Sequence, residues 1–133
     1  MMATHARKTT SSIKPFAEPT VLINCTAACA KCKALKKYLD AEFKEFCADL
    51  GYELHVNSLS SKTTGYWKLY GKPIGVGQAT PQIYLVDGDK TAGCVFWPGI
   101  EVVGVEGHLV IPEIDKWSRE LVEAVVSVLN ERM

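Results

Sequence analysis

The spacing of apolar residues changes along the chain, and each spacing predicts a different element. The β-branched run Thr20–Asn24, TVLIN, predicts a short strand that is buried on both faces. Apolar residues then recur at steps of three and four across positions 32–50, with lysines mostly on the other side. This period predicts one long amphipathic helix that begins near Cys29 and is stopped by Gly51.

The second half of the chain predicts strands more often than helices. YELHV, at 52–56, alternates like a second strand, and YWKLYG predicts a short helix before a Gly-rich loop at 71–80. The runs PQIYLV and TAGCVFW flank the turn signal Asp87-Gly88, so they should be antiparallel neighbours. The passage PGIEVVGVEGHLV is ambiguous, and Pro112 should open a last helix.

The order β-α-β-α-β-β-α predicts an α/β fold, with a four-stranded mixed sheet and helices on both faces. A length of 133 residues with 47% hydrophobic residues fits a single core. Residues 1–18 are rich in Ser and Thr and lack the apolar block of a secretory signal, so we interpret them as a flexible tail before a domain at 19–133. A mitochondrial transit peptide is the alternative interpretation of that tail.

Charge and hydropathy exclude some classes of partner. Fifteen basic residues balance fifteen acidic ones, so no global field should draw the protein to nucleic acid or to a membrane surface. No apolar run approaches the roughly 20 residues of a membrane-spanning helix. We therefore expect a monomer whose partners are recognised locally, with neither nucleic acid nor a membrane among them.

The cysteines are unevenly distributed. Cys25, Cys29 and Cys32 fall within a few residues of one another, and the total of five is odd. Both facts argue against a fully paired secreted framework and for thiol or metal chemistry in a reducing, cytoplasmic compartment. Cys47 and Cys94 lie in apolar segments and should be buried small hydrophobes.

The pair Cys29 and Cys32 has the spacing of a redox-active dithiol. The first turn of a helix presents unpaired backbone N–H groups, and Lys31 and Lys33 add positive charge, so a thiolate at Cys29 should be favoured and its pKa lowered. Cys32, on the buried face, is then close enough to resolve a mixed disulfide. We expect the pair to cycle between dithiol and disulfide.

Two metal-based interpretations compete with the dithiol. A structural zinc site would need further Cys or His ligands, and those that remain are scattered. The spacing C-x-x-x-C-x-x-C is also that of radical S-adenosylmethionine enzymes, which bind an iron–sulfur cluster with three thiolates. Barrels of that kind run to roughly 200 residues or more, which is longer than this chain. Without a cluster, Cys25 is either a packed thiol or a third redox-active cysteine that could pair with Cys29.

The segment CAKCK after a buried strand, with ATPQIYL before an Asp-Gly hairpin, resembles the thioredoxin and glutaredoxin superfamily from about Thr20 to the C-terminus. The resemblance implies a thioredoxin-like fold and a cofactor-independent thiol–disulfide oxidoreductase in which Cys29 and Cys32 are catalytic. It also implies that Thr80-Pro81 is a cis-proline loop facing the pair. We assign substrate contacts to this loop and to Lys31, with a disulfide-containing client protein or glutathione as the partner and a reductase as a possible electron donor.

The chain departs from the family's patterns in ways that leave the electron donor open. Ala28 replaces the tryptophan that thioredoxins carry before the first cysteine, and Ile23 stands where they have a buried acid. The glutathione-holding element of glutaredoxins has no clear match around Gly99 to Gly107. A redox-inactive domain that keeps the fold and only docks a partner is therefore the alternative from another class of function.

Overall fold

The computed structural model describes residues 13–96, 100–103, 110–111 and 118–133. The strands are β1 Thr20–Asn24, β2 Glu53–Asn57, β3 Gln82–Asp87, β4 Lys90–Phe96, β5 Ile100–Val103 and β6 Val110–Ile111. The helices are α1 Ala30–Lys36, α2 Ala41–Asp49, α3 Ser60–Tyr66 and α4 Arg119–Arg132. A π-helical turn at Trp67–Gly71 and a 3-10 turn at Lys72–Ile74 continue α3.

The strands form one mixed sheet in the order β2-β1-β3-β4-β5-β6. β1 and β2 are parallel, and every other neighbouring pair is antiparallel. The predicted α/β class, the four predicted strands and the antiparallel β3-β4 hairpin are confirmed. The short strands β5 and β6 extend the sheet beyond the prediction, because glycines interrupt the alternation there and left that passage ambiguous.

The prediction of one long helix after β1 is wrong, because the chain forms two helices there. α1 ends at Lys36, and α2 begins after Asp40, whose carboxylate accepts a hydrogen bond from the Phe43 N–H at 3.1 Å. An aspartate at this position satisfies the free amides of a new helix. The apolar period runs through the break because both helices face the same core. The predicted stop is present, with Gly51 at φ 93° just after α2.

Helices cover both faces of the sheet, as predicted. On one face, Val21 and Ile23 of β1 belong to a fully buried cluster with Leu35 of α1, Phe43 of α2 and Val125 of α4. The other face carries a second cluster that includes Leu22, Tyr66, Tyr70, Tyr84 and Val86. Side chains along β1 alternate in direction, since successive side chains of a strand point to opposite faces of the sheet, and this explains why neighbouring residues belong to different clusters. Cys47 and Cys94 are fully buried, as predicted.

The end of the predicted tail packs against the second face. Ile13 and Phe16 contact its cluster, and the Phe16 ring lies 5.7 Å from the Tyr66 ring in a stacked arrangement. The Phe16 N–H donates to the Tyr70 hydroxyl at 2.9 Å. Ile13 and Phe16 therefore pack against the sheet, which the sequence did not predict because two isolated apolar residues in a polar segment give no period. The boundary between residues 18 and 19 stays a prediction. Residues 1–12 lie outside the described residues.

The last helix begins at a well-formed cap. The Ser118 hydroxyl accepts a hydrogen bond from the Leu121 N–H at 3.0 Å, and Arg119 pairs with Asp40 and Glu42 at the start of α2. The predicted opening of this helix at Pro112 lies outside the described residues. Within the part of the chain that the structure describes, no helix has the length and apolar character needed to cross a bilayer.

Substituting Gly93 by alanine is expected to destabilise the protein by about 1–3 kcal/mol, because the added methyl would overpack the second face of the sheet. A Cβ at this position would lie 2.6 Å from the Cδ1 atom of the fully buried Tyr84 ring. Gly77→Ala is the matched control, since a Cβ there meets nothing within 4 Å. Equal unfolding midpoints for the two variants in denaturant titration would contradict this prediction.

Candidate functional site

Cys29 is the N-cap residue of α1. Its backbone is extended, with φ −85° and ψ 115°, and its sulfur accepts a hydrogen bond from the Cys32 N–H at 3.1 Å. The sulfur occupies the place that a serine or aspartate oxygen takes in ordinary caps, where it satisfies a free amide of the first turn. The sequence prediction that the pair lies where β1 hands over to a helix is therefore correct in its geometry.

The loop before β3 faces this cap. The Thr80-Pro81 peptide bond is cis, and the Cys29 thiol donates to the Thr80 carbonyl oxygen at 3.7 Å. The structure thus brings Cys29, Cys32 and the Thr80-Pro81 loop together, as the sequence analysis expected. Thr80 is half-buried and Pro81 is buried. Lys31, between the two cysteines, is half-buried, and its contact with a substrate stays a prediction.

The three clustered cysteines differ in access to solvent. Cys29 is partly exposed, whereas Cys25 and Cys32 are fully buried. Cys25 and Cys32 belong to one buried cluster, and Cys29 packs against that cluster from its partly exposed side. The Cys29 sulfur is therefore the one of the three that a large molecule can reach.

Hydrogen bonding lowers the pKa of Cys32, whereas the pKa of Cys29 is raised. A hydrogen bond from Cys25 is the main cause that lowers the pKa of Cys32 to about 6, against its burial and with further help from Cys29. Burial is the main cause that raises the pKa of Cys29, followed by its hydrogen bond to Cys32. The hydrogen bond to Cys32 and then burial raise the pKa of Cys25. The sequence expectation of a lowered pKa at Cys29 is thus not what this geometry favours.

The reason for the difference is local. The helix start acts on Cys29 through a single amide. The pKa of Cys32, in contrast, is lowered by hydrogen bonds with the thiols of Cys25 and Cys29 and with the backbone of Thr26. Because Cys29 and Cys32 are hydrogen-bonded, they share a proton and titrate as a pair. A Cys29 thiol that passes its proton to Cys32 carries the negative charge at the partly exposed side of the pair.

A buried polar network beneath the site was missed by the sequence analysis. It centres on Gln82, which is fully buried directly after Pro81. Its Oε1 atom accepts hydrogen bonds from Asn24 Nδ2 at 2.9 Å and from the Tyr84 hydroxyl at 2.7 Å. Its Nε2 atom donates to the carbonyls of Gly77 at 3.1 Å and Ala79 at 3.2 Å. The Gln82 side chain therefore fixes the loop that presents Thr80.

The same network continues to the other side of the site. Asn57 Nδ2 donates to Asn24 Oδ1 at 2.9 Å, and the Thr63 hydroxyl donates to the Cys25 carbonyl at 2.6 Å. The Cys25 N–H donates to the Asn57 carbonyl at 2.9 Å. A usable sequence signal did exist, because polar Asn24 and Gln82 interrupt otherwise apolar strand runs next to a predicted site residue. Such residues have to be hydrogen-bonded when they are buried.

The metal-based interpretations find no support in the ligand geometry. Among the residues that the structure describes, no group of three or more His, Cys, Asp or Glu side chains is arranged to hold a metal ion. Cys25, Cys29 and Cys32 are all among those residues. The dithiol interpretation of the site is therefore the one that we develop below.

Comparison with protein-family models, with curated proteins and with solved structures gave no match to this chain. The resemblance to the thioredoxin and glutaredoxin superfamily accordingly rests on the residues and the strand order given above. The function has to be argued from the chemistry of the site.

The ultraviolet absorbance of the thiolate is expected to fall as the pH drops through about 6, because a pKa of about 6 keeps Cys32 ionised above that pH. Cys32→Ser should remove this step. Cys25→Ala should move it to higher pH, since it removes the hydrogen bond that contributes most to lowering the pKa of Cys32. Cys47→Ala, which removes a buried thiol elsewhere, is the control and should keep the absorbance step. Loss of the step in Cys29→Ser but not in Cys32→Ser would contradict the assignment of this titration to Cys32.

Proposed function

We propose that the protein is a thiol–disulfide oxidoreductase with a thioredoxin-like fold, in which Cys29 attacks the substrate and Cys32 resolves the intermediate. The observation that carries the proposal is the position of the Cys29 sulfur. It is partly exposed at the start of α1, accepts a hydrogen bond from the Cys32 amide at 3.1 Å and lies 3.7 Å from the carbonyl before cis-Pro81. This is the arrangement that the family resemblance implies.

The strand order also supports the proposed fold. A parallel β1-β2 pair, with β3 antiparallel to β1 and a β3-β4 hairpin, gives the order β2-β1-β3-β4. The resemblance implies a four-stranded mixed sheet of the same element order, with the cysteine pair after the first strand. In this interpretation β5 and β6 are an addition at the far edge of the sheet, away from the site.

The proposed reaction exchanges one disulfide for another. Cys29 passes its proton to the Cys32 thiolate and then attacks one sulfur of a client disulfide. The other client sulfur leaves as a thiolate and takes up the proton that Cys32 holds. Cys32, a thiolate again, attacks the Cys29 sulfur and releases the second client sulfur, which takes a proton from water. One client disulfide is reduced to two thiols, and Cys29 and Cys32 are oxidised to one disulfide, so the electrons balance.

Substrate recognition would use the backbone of the loop. The Gln82 side chain holds the Gly77 and Ala79 carbonyls, which leaves Thr80 at the edge of the site beside Cys29. An extended client segment, or the backbone of glutathione, can pair with such a fixed stretch of main chain. Glutathione or a reductase would return the Cys29-Cys32 pair to the dithiol.

The direct test is stoichiometric reduction of a protein disulfide. Fully reduced chain, freed of small thiols, is mixed with insulin, and new insulin thiols are counted beside the loss of thiols from Cys29 and Cys32. The expected result is one insulin disulfide reduced for each chain oxidised. Binding of insulin without any new thiols would instead favour the docking domain that keeps the fold without redox activity.

A further inference from the structure

Cys25 has no role in the reaction just described, although it lies within the site. It follows β1 directly and is fully buried. Its backbone is fixed on both sides, by the Asn57 carbonyl at 2.9 Å and by the Thr63 hydroxyl at 2.6 Å. It shares a buried cluster with Cys32, whereas Cys29 packs against that cluster from its partly exposed side, and hydrogen bonding with Cys32 is the main cause that raises the pKa of Cys25. The sequence analysis, which considered a pairing with Cys29, did not predict this arrangement.

Cys32 interacts with both of the other cysteines, since its N–H donates to the Cys29 sulfur and hydrogen bonding with it raises the pKa of Cys25. This matters for exchange chemistry. A thiolate breaks a disulfide by attacking one of its sulfurs and displacing the other. In a Cys29–Cys32 disulfide, the sulfur that shares the buried cluster with Cys25 is that of Cys32, so Cys29 is the group that would leave. The burial of the three cysteines therefore selects which sulfur of that disulfide a third cysteine attacks.

We propose that Cys25 is a third redox-active cysteine, which attacks Cys32 in the oxidised protein, forms a Cys25–Cys32 disulfide and releases Cys29 as a free thiol. This proposal rests on the proposed function, which supplies the Cys29–Cys32 disulfide. One S–S bond forms and one breaks, and the proton of the Cys25 thiol passes to the departing Cys29 sulfur. No further oxidant or reductant is consumed, because the exchange only moves the disulfide from Cys29–Cys32 to Cys25–Cys32.

The surroundings of the sulfurs favour this exchange. A Cys25–Cys32 disulfide is uncharged and would lie within the apolar cluster that already contains both residues. Cys29 is the partly exposed member, so it can carry the charge of a leaving thiolate at less cost than Cys25. The released Cys29 stays at the mouth of the site, where its thiolate can attack a second disulfide and displace one of its sulfurs, while the Cys25–Cys32 disulfide is kept inside.

Disulfide mapping in the intact chain tests the proposal. Reduced wild type is treated with one equivalent of 5,5′-dithiobis(2-nitrobenzoic acid), quenched in acid, labelled with N-ethylmaleimide and analysed by peptide fragmentation. In oxidised wild type we expect molecules in which Cys25 is linked to Cys32 and Cys29 carries the label. The fraction of oxidised molecules labelled at Cys29 should be at least tenfold higher in wild type than in Cys25→Ala. A Cys29–Cys32 disulfide accompanied always by label on Cys25 would overturn the proposal and leave the proposed function standing. Formation of neither disulfide would overturn both.

A second variant keeps the test independent of the folding of Cys25→Ala. In Cys29→Ser, which changes only the partly exposed sulfur, oxidation with diamide should link the tryptic peptide that ends at Lys31 to the dipeptide Cys32-Lys33. With Cys29 gone, Cys25 is the cysteine in the first peptide. Cys29→Ser combined with Cys25→Ala should show no such link, and absence of the link in Cys29→Ser alone would overturn the proposal. Cys47→Ala controls for loss of a buried thiol elsewhere.

Discussion

Cys29→Ser is expected to lower disulfide reductase activity at least about a hundredfold, to the level of the uncatalysed exchange, because it removes the sulfur that forms the covalent intermediate. Serine preserves the cap, since its oxygen can accept the Cys32 N–H, so α1 should form as before. Turnover of insulin with a saturating small-thiol reductant measures the effect. Retention of more than about a tenth of wild-type activity would mean that Cys29 is not the attacking group.

Cys32→Ser provides the complement to this variant. It leaves Cys29 able to attack and removes the group that resolves the intermediate, so a mixed disulfide between Cys29 and the client should accumulate. Non-reducing mass analysis would show the added client mass on Cys29. Cys47→Ala, a buried thiol outside the site, should turn over like wild type. If Cys32→Ser accumulated no adduct while wild type turned over, the assignment of attacking and resolving roles would be wrong.

Gln82→Met is expected to destabilise the protein by about 3 kcal/mol or more, because it removes four hydrogen bonds, of which those with Asn24 and Tyr84 are fully buried. Methionine has a similar volume, so the loss would come from hydrogen bonds rather than from a cavity. The groups affected are the Asn24 amide, the Tyr84 hydroxyl and the carbonyls of Gly77 and Ala79. Denaturant unfolding at equilibrium measures the change in free energy.

Tyr52→Phe is the matched control for Gln82→Met. The Tyr52 hydroxyl donates to Asn130 Oδ1 at 3.1 Å in a partly buried position, so its loss removes a single hydrogen bond. We expect a cost of about 1 kcal/mol. A cost for Gln82→Met no larger than that of Tyr52→Phe would show that the network contributes little, and the Thr80 loop would then be held by other contacts.

The sheet was predictable because its strands are short, β-branched and separated by strong turn signals. TVLIN and the Asp87-Gly88 hairpin define β1, β3 and β4 without any tertiary information. The break between α1 and α2 was not predicted, because the apolar period continues across it. Asp40 alone marks the new helix, and a capping residue is a weaker signal than an uninterrupted apolar face.

Some residues of the candidate site could likewise be predicted from the sequence, and others could not. Cys29, Cys32 and Pro81 were found from spacing and from the family resemblance, since their positions depend mainly on local sequence. Gln82 and Cys25 depend on which strand ends meet in space, and that follows only from the register, in which Asn24 stands opposite Gln82 and beside Asn57. The lowered pKa of Cys32 could not be predicted either, because its main cause is hydrogen bonding with Cys25 rather than the helix start.

The break between α1 and α2 has a mechanical consequence. α1 has only seven residues, and α2 starts from its own cap at Asp40. Forming a covalent link shortens the sulfur–sulfur separation from non-bonded contact to about 2 Å, which pulls on the backbone that carries Cys32. A single continuous helix would transmit that displacement along its length and disturb the packing of Phe43 and Cys47. Here the short α1 can absorb the displacement within two turns, so in the proposed reaction cycle the packing of α2 would not have to change.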